Sequence, residues 1–179
     1  TAKEKGYYVP SSTFTRLLGA LKEYASEGRG FYAAYATYVL TRNEEITTSY
    51  LENLSKNSVF ADTSLSLTEL YMAASYRLLR MDKEAKKYTG KIKKGINFVY
   101  DNDMFASRLY IDSVYLYIIS SYFPEQLKVI GDTVLGSIEK SMSEGDYNSI
   151  SSAMTLSAIE AYLKATPNAA TGKFVVKED

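Results

Sequence analysis

Leu109-Tyr110-Ile111-Asp112-Ser113-Val114-Tyr115-Leu116-Tyr117-Ile118-Ile119-Ser120-Ser121-Tyr122-Phe123 decides the fold. The segment is apolar on almost every side of a helical wheel and interrupted only by Asp112 and three serines. It holds six apolar residues in a row from Val114 to Ile119, far short of the ~20 needed to span a bilayer. That pattern predicts a helix buried on most sides inside an all-α protein. Similar stretches recur every 38 to 41 residues: Tyr35-Ala36-Thr37-Tyr38-Val39-Leu40 and Ala73-Ala74-Ser75-Tyr76-Arg77-Leu78 precede it, and Thr155-Leu156-Ser157-Ala158-Ile159 follows. Each of the first three is followed by a polar turn and a second helical segment. A repeat of this period means helical hairpins stacked side by side, as an open solenoid or a closed α/α toroid. Small and aromatic residues fill the repeated inner helices and charge gathers on the outer ones, which suits a toroid better.

Working outward, helical periodicity predicts seven more helices. The first runs from Ser12 to Ser26 with an apolar stripe of Phe14, Leu17, Leu18, Leu21 and Tyr24/Ala25, stopped by Gly28-Arg29-Gly30. Two follow at about Phe31 to Arg42 and Ile46 to Leu54. Ser66-Leu67-Thr68-Glu69 has the spacing of a capping box and opens the fourth. A fifth is expected from Lys83 to Lys94, the seventh from Pro124 to about Met142 and the eighth from Ser149 to Ala165. After Pro167, Lys173-Phe174-Val175-Val176-Lys177 reads as a short β segment, either an edge strand or the start of a following β-domain. The expected division is a helical domain over 1–166 and a linker with that β segment over 167–179.

The chain of 179 residues contains neither Cys nor His, which excludes thiol nucleophiles, disulfides, Cys/His zinc sites and His-based triads. Its 21 Lys+Arg balance 21 Asp+Glu, so no basic bias points to nucleic acid or to an anionic membrane surface. Thr1-Ala2-Lys3-Glu4-Lys5-Gly6 has no initiator Met and no apolar signal core, and reads as a chain cut from something longer.

Three features invite a chemical reading. Lys83, Lys86, Lys87, Lys91, Lys93 and Lys94 form the largest local charge; four of them share one helix face, either an anion-binding strip or, as we read it, a solvated outer face. Asp101, Asp103 and Asp112 are the carboxylates a glycosidase-like toroid would use, yet Asp101 and Asp103 suit a loop and cap ahead of a helix. Asp112, inside an apolar helix, needs a partner, and Arg108 one turn earlier is the expected one. The 17 tyrosines suggest an aromatic cleft, but the helical spacing of Tyr32, Tyr35, Tyr38, Tyr110 and Tyr117 reads as helix packing with hydroxyls at the rim. No catalytic, metal-binding or cofactor-binding residue is assigned, and no cofactor is expected.

Several segments, in order, resemble one family. Lys3-Glu4-Lys5-Gly6-Tyr7-Tyr8-Val9-Pro10 is similar to the Gly-Tyr-x-Val-Pro junction in the thioester-type helical domain of bacterial α2-macroglobulins. Tyr35 to Arg42 resembles that domain's Ala-Tyr-Ala-x-Tyr-Val-Leu-x-Arg helix, and Ser107-Arg108 with Asp112 its Ser-x-x-Arg-Asp helix start. Asp146 to Tyr162 resembles its last toroid helix, although Tyr147 stands where Trp is usual and Ile150-Ser151-Ser152 departs from the pattern. The resemblance covers roughly residues 3–164. It implies the C-terminal portion of an α/α toroid in a protease-trapping protein of the periplasm or cell envelope, with proteases as targets of the full-length chain and its other domains as neighbours. The thioester motif of many members precedes the junction, so the resemblance assigns no residue here to it. A non-catalytic toroid piece is the preferred reading, an independent helical-repeat scaffold for protein partners the alternative, and a glycosidase-like toroid the third.

Overall fold

In the computed structural model, residues 6–58, 65–92 and 107–167 are described; they hold eight α-helices and no β-strand. The protein is all-α, and it divides into two compact units, residues 1–91 and 92–179. The β segment expected at 173–177 lies outside the described residues.

The first unit carries α1 (Ser11–Ser26), α2 (Gly30–Arg42), α3 (Thr48–Asn57), α4 (Leu67–Leu78) and α5 (Asp82–Thr89). α2 and α4 lie against one another, with α1 and α3 on α2 and α5 on α4. Small residues make this approach close: Ala33, Ala34, Ala36 and Thr37 of α2 are buried, and Ala36 and Leu40 meet Ala25 of α1 with Leu18, Leu21 and Tyr50 around them. Buried hydroxyls are absorbed by the helix itself. Thr37 and Thr41 donate to the carbonyls of Ala33 and Thr37 at 2.7 Å, and Ser75 donates to Tyr71 at 2.8 Å, so these three hydroxyls keep a partner inside the packed helices.

The second unit carries α6 (Arg108–Tyr122), a 3₁₀ turn at Pro124–Gln126, α7 (Leu127–Ser143) and α8 (Ser149–Ala165). Ten of the fifteen residues of α6 are buried, as its all-round apolar character requires, and both α7 and α8 pack on it. The Ser113 and Thr155 hydroxyls meet at 2.8 Å across the α6–α8 seam.

Helix ends follow local chemistry. At α4 the capping box forms as expected: Glu69 N–H donates to Ser66 Oγ at 3.2 Å, and Ser66 N–H to Glu69 Oε2 at 2.9 Å. α8 has its own box, with Asn148 Oδ1 accepting from Ile150 and Ser151 N–H at 2.9 Å each, and Ser151 Oγ accepting from Asn148 N–H at 2.8 Å. Two helices end in left-handed caps built on residues with side chains. Glu44 (φ 65°) closes α2 through Glu45 N–H to Leu40 O, and Arg80 (φ 59°) closes α4 through Met81 N–H to Tyr76 O.

Several expected boundaries moved: α3 runs on to Asn57 rather than Leu54, and α7 begins at Leu127, behind a separate 3₁₀ turn at Pro124–Gln126. The fifth helix stops at Thr89 rather than Lys94, because Gly90 and Lys91 turn the chain back toward α4. The third begins at Thr48, leaving Ile46 exposed ahead of it, because the Thr47 hydroxyl is drawn into the core by Thr41 at 2.7 Å.

Candidate functional site

The buried charges come first, since a carboxylate held out of water either performs chemistry or holds structure. Two occur among the described residues. Glu69, 1% exposed, sits in the first turn of α4, where its Oε2 accepts from Ser66 N–H and Oγ, while its Oε1 meets Lys91 Nζ at 2.7 Å. Both oxygens are thus engaged by one cap and one ammonium. Lys91 therefore does not join a solvated strip with Lys83 and Lys87. Those two and Lys86 are exposed on α5, as a bland outer face requires, whereas Lys93 and Lys94 lie outside the described residues.

Asp112, 2% exposed, receives Arg108 Nε at 2.8 Å, the expected i, i+4 partner, and also Ser137 Oγ at 2.6 Å from α7. The carboxylate ties two helices together. Asp101 and Asp103 lie outside the described residues, so no geometry relates them to Asp112. Among the described residues no cluster of three acidic side chains suits a metal ion.

The tyrosines divide by depth. Tyr71 of α4 anchors an aromatic group with Phe31, Tyr35 and Tyr38 of α2, at ring separations of 5.7, 5.4 and 5.2 Å, and the Arg42 guanidinium lies 5.6 Å from the Tyr38 ring centre. Tyr38 and Tyr71 are buried, while Tyr32 and Tyr35 keep one side in water. This is helix packing with rims at the surface, not a cleft. In the second unit Tyr115 is buried and donates its hydroxyl to Ile92 O at 2.6 Å. Burial, and secondarily the Asp112 charge, push its phenol upward. Tyr76, stacked on Tyr88 at 6.1 Å, is pushed up to about 12, by burial first and then by the neighbouring Tyr88, Glu84 and Glu52. An open depression at the α1–α2 turn is lined by Glu27, Arg29 and Asn57.

Three curated relatives align along most of this chain. An α2-macroglobulin of Rickettsia conorii is 32% identical over 165 residues, which are 86% of this chain. The chain belongs to the bacterial α2-macroglobulin family. An α2-macroglobulin homolog of Yersinia pestis is 31% identical over 173 residues, 90% of the chain, and the α2-macroglobulin of Pasteurella multocida 29% over 175, 88% of the chain. This α2-macroglobulin-family chain spans 8% to 9% of the length of these relatives. No family model and no solved structure matches it.

Within the family sequence, Asp112 and its Arg108 partner were legible from their spacing. Ser137, 25 positions away, was not, and neither was the pairing of Lys91 with Glu69 across 22 positions. The signal available for Glu69 was the capping box, which marks the residue but not its second bond.

Proposed function

We propose that this chain is a non-catalytic structural piece of the helical domain of an α2-macroglobulin-like protease trap in the cell envelope, its stacked hairpins forming part of an α/α toroid. The observation that carries the reading is the fate of the buried carboxylates. Glu69 and Asp112 are each consumed by bonds that hold one helix to the next segment, with Lys91 at 2.7 Å, and Arg108 at 2.8 Å and Ser137 at 2.6 Å. Groups so committed support scaffold work, and the glycosidase-like reading draws nothing from them. With no Cys in the sequence, the chain supplies no thioester of its own. The relatives' names support the trap, and the pairing of α2 with α4 and of α6 with α8 supports inner layers of a toroid.

The competing reading, a self-contained repeat scaffold, calls for polar end faces. The first and last described helices instead expose apolar residues: Leu17 and Tyr24 of α1, and Ile150, Leu156 and Leu163 of α8, stand in solvent. That favours a piece of a larger helical body.

The test is to mix the full-length parent protein with trypsin and follow cleavage of casein beside cleavage of a small peptide amide. A trap encloses the protease, so casein cleavage is expected to fall while the small amide is still turned over. Equal retention or equal loss of both activities overturns the trap.

A further inference from the structure

We infer that Tyr35 of α2 and Tyr71 of α4 form an oxidative modification site, where a one-electron oxidant of the haem-peroxidase class, driven by hydrogen peroxide, joins the two phenol rings as dityrosine. The composition of the chain frames this chemistry. With no Cys, no Trp and no His among 179 residues, its readily oxidised side chains are 17 tyrosines and 5 methionines, and it has no disulfide to brace one helix against another. A bond between two phenols supplies such a brace.

Geometry selects the pair. The rings of Tyr35 and Tyr71 are 5.4 Å apart between centroids and inclined at 70°, so the edge of one meets the face of the other. Phe31 lies against both, 6.2 Å from Tyr35 and 5.7 Å from Tyr71, and keeps them in place. Tyr35 is 40% exposed, open to an oxidant and to the water that takes its phenolic proton, whereas Tyr71 is 3% exposed and sheltered from coupling to another molecule. Tyr38 also meets Tyr71, at 5.2 Å, but the Arg42 guanidinium lies 5.6 Å from its ring centre, and a cation beside a π-face makes an electron harder to remove. Tyr76 and Tyr88, nearly parallel at 6.1 Å, are both buried and give an oxidant no way in. The step balances: one ortho C–H bond breaks on each ring, a C–C bond forms between those carbons, and both hydroxyls survive. The two electrons and two protons released reduce one hydrogen peroxide to two waters. The new bond ties together α2 and α4, which already lie against one another, and closes the chain between them into a loop, restricting the unfolded state as a disulfide does.

The experiment treats the dilute full-length parent protein with a haem peroxidase and hydrogen peroxide, isolates the monomer, digests it with trypsin after denaturation, and looks by mass spectrometry for two peptides joined with the loss of two hydrogens. Wild type is expected to yield residues 30–42 bound to residues 57–77, with dityrosine fluorescence in that product. Tyr35→Phe and Tyr71→Phe are each expected to abolish it, whereas Tyr38→Phe and Tyr76→Phe, in the same two peptides, keep it. Tyr35 stands partly in solvent, so Tyr35→Phe decides the matter even if Tyr71→Phe disturbs the fold. Absence of the joined peptides from the wild-type monomer overturns the site, as does their persistence in Tyr35→Phe or their loss in Tyr38→Phe alone.

Discussion

Lys91 reaches back from the end of α5 to Glu69 in the first turn of α4, Nζ to Oε1 at 2.7 Å, and so fastens a helix start to the residue that closes the first unit. Glu69 is fully buried and Lys91 mostly so, which makes the pair costly to break from one side. Lys91→Ala leaves the carboxylate with its cap bonds alone and is expected to lower stability by about 2 to 3 kcal/mol, while Glu69→Ala, which also removes the capping box, costs about 3 to 5 kcal/mol. Urea unfolding of both singles and the double variant tests this. A double variant no more stable than the sum of the singles would deny the coupling.

Asp112 makes a comparable link in the second unit, but its partner Arg108 is 46% exposed in its side chain, so that ion pair is screened and weaker. The bond from Ser137 is drier. Ser137→Ala is expected to cost about 1 to 2 kcal/mol, and Arg108→Ala no more than about 1 kcal/mol, at moderate salt. Raising the salt concentration should shrink the Arg108 effect and leave that of Ser137 in place; the reverse order would mean that Arg108, not Ser137, holds α6.

Alkaline pH acts through the buried phenols. Tyr76 is raised to about 12 in the fold against about 10 in an unfolded chain. Below pH 10 both states keep the proton and stability is whole. Between pH 10 and 12 the unfolded chain sheds it while the fold retains it, so ionisation draws the chain toward the unfolded state and stability falls. Tyr115 adds to this in the same direction. Melting curves from pH 8 to 11.5 should show a steeper decline for wild type than for Tyr76→Phe, whose baseline at pH 8 is close to wild type. Parallel curves would contradict the shift.

The layers were legible where periodicity was strong. Leu109 to Phe123 announced a buried helix because it is apolar all round, and Ser66 with Glu69 announced a helix start because the capping box needs only three residues of spacing. The stripe on α1 was also visible, but its burial was not: Leu17 is 56% exposed, since packing depends on which helices are present to meet the stripe. Asn148 escaped notice as a cap because its partner at the third helical position is Ser151 instead of Glu or Gln. The Lys91 to Glu69 bond was hidden for a different reason. Helical spacing placed Lys91 on a solvent face with Lys87, and only the stop at Thr89 turns it inward. The left-handed caps were hidden as well, because the sequence there offers Glu44 and Arg80 where glycine would have signalled the turn.

Those caps yield the last prediction. Arg80 holds φ 59°, a region that crowds its Cβ against the backbone, and the motif keeps it there through Met81 N–H to Tyr76 O at 2.8 Å and Arg80 N–H to Arg77 O at 3.1 Å. Glycine takes the same backbone without that crowding, though it gains entropy in the unfolded chain, so the two effects partly offset. The left-handed cost of about 1 to 2 kcal/mol exceeds the entropic one of about 0.5 to 1 kcal/mol, and Arg80→Gly is therefore expected to stabilise the first unit by up to about 1 kcal/mol. The same substitution at Glu44, φ 65°, should act alike and additively, since its cap closes on Leu40 at the end of a different helix. At Gly145 (φ 77°), which caps α7 through Asp146 N–H to Ser141 O, alanine should do the opposite and destabilise. Chemical denaturation of the three variants checks the sign of each, and a destabilised Arg80→Gly would mean that its side chain contributes more to the cap than its backbone costs.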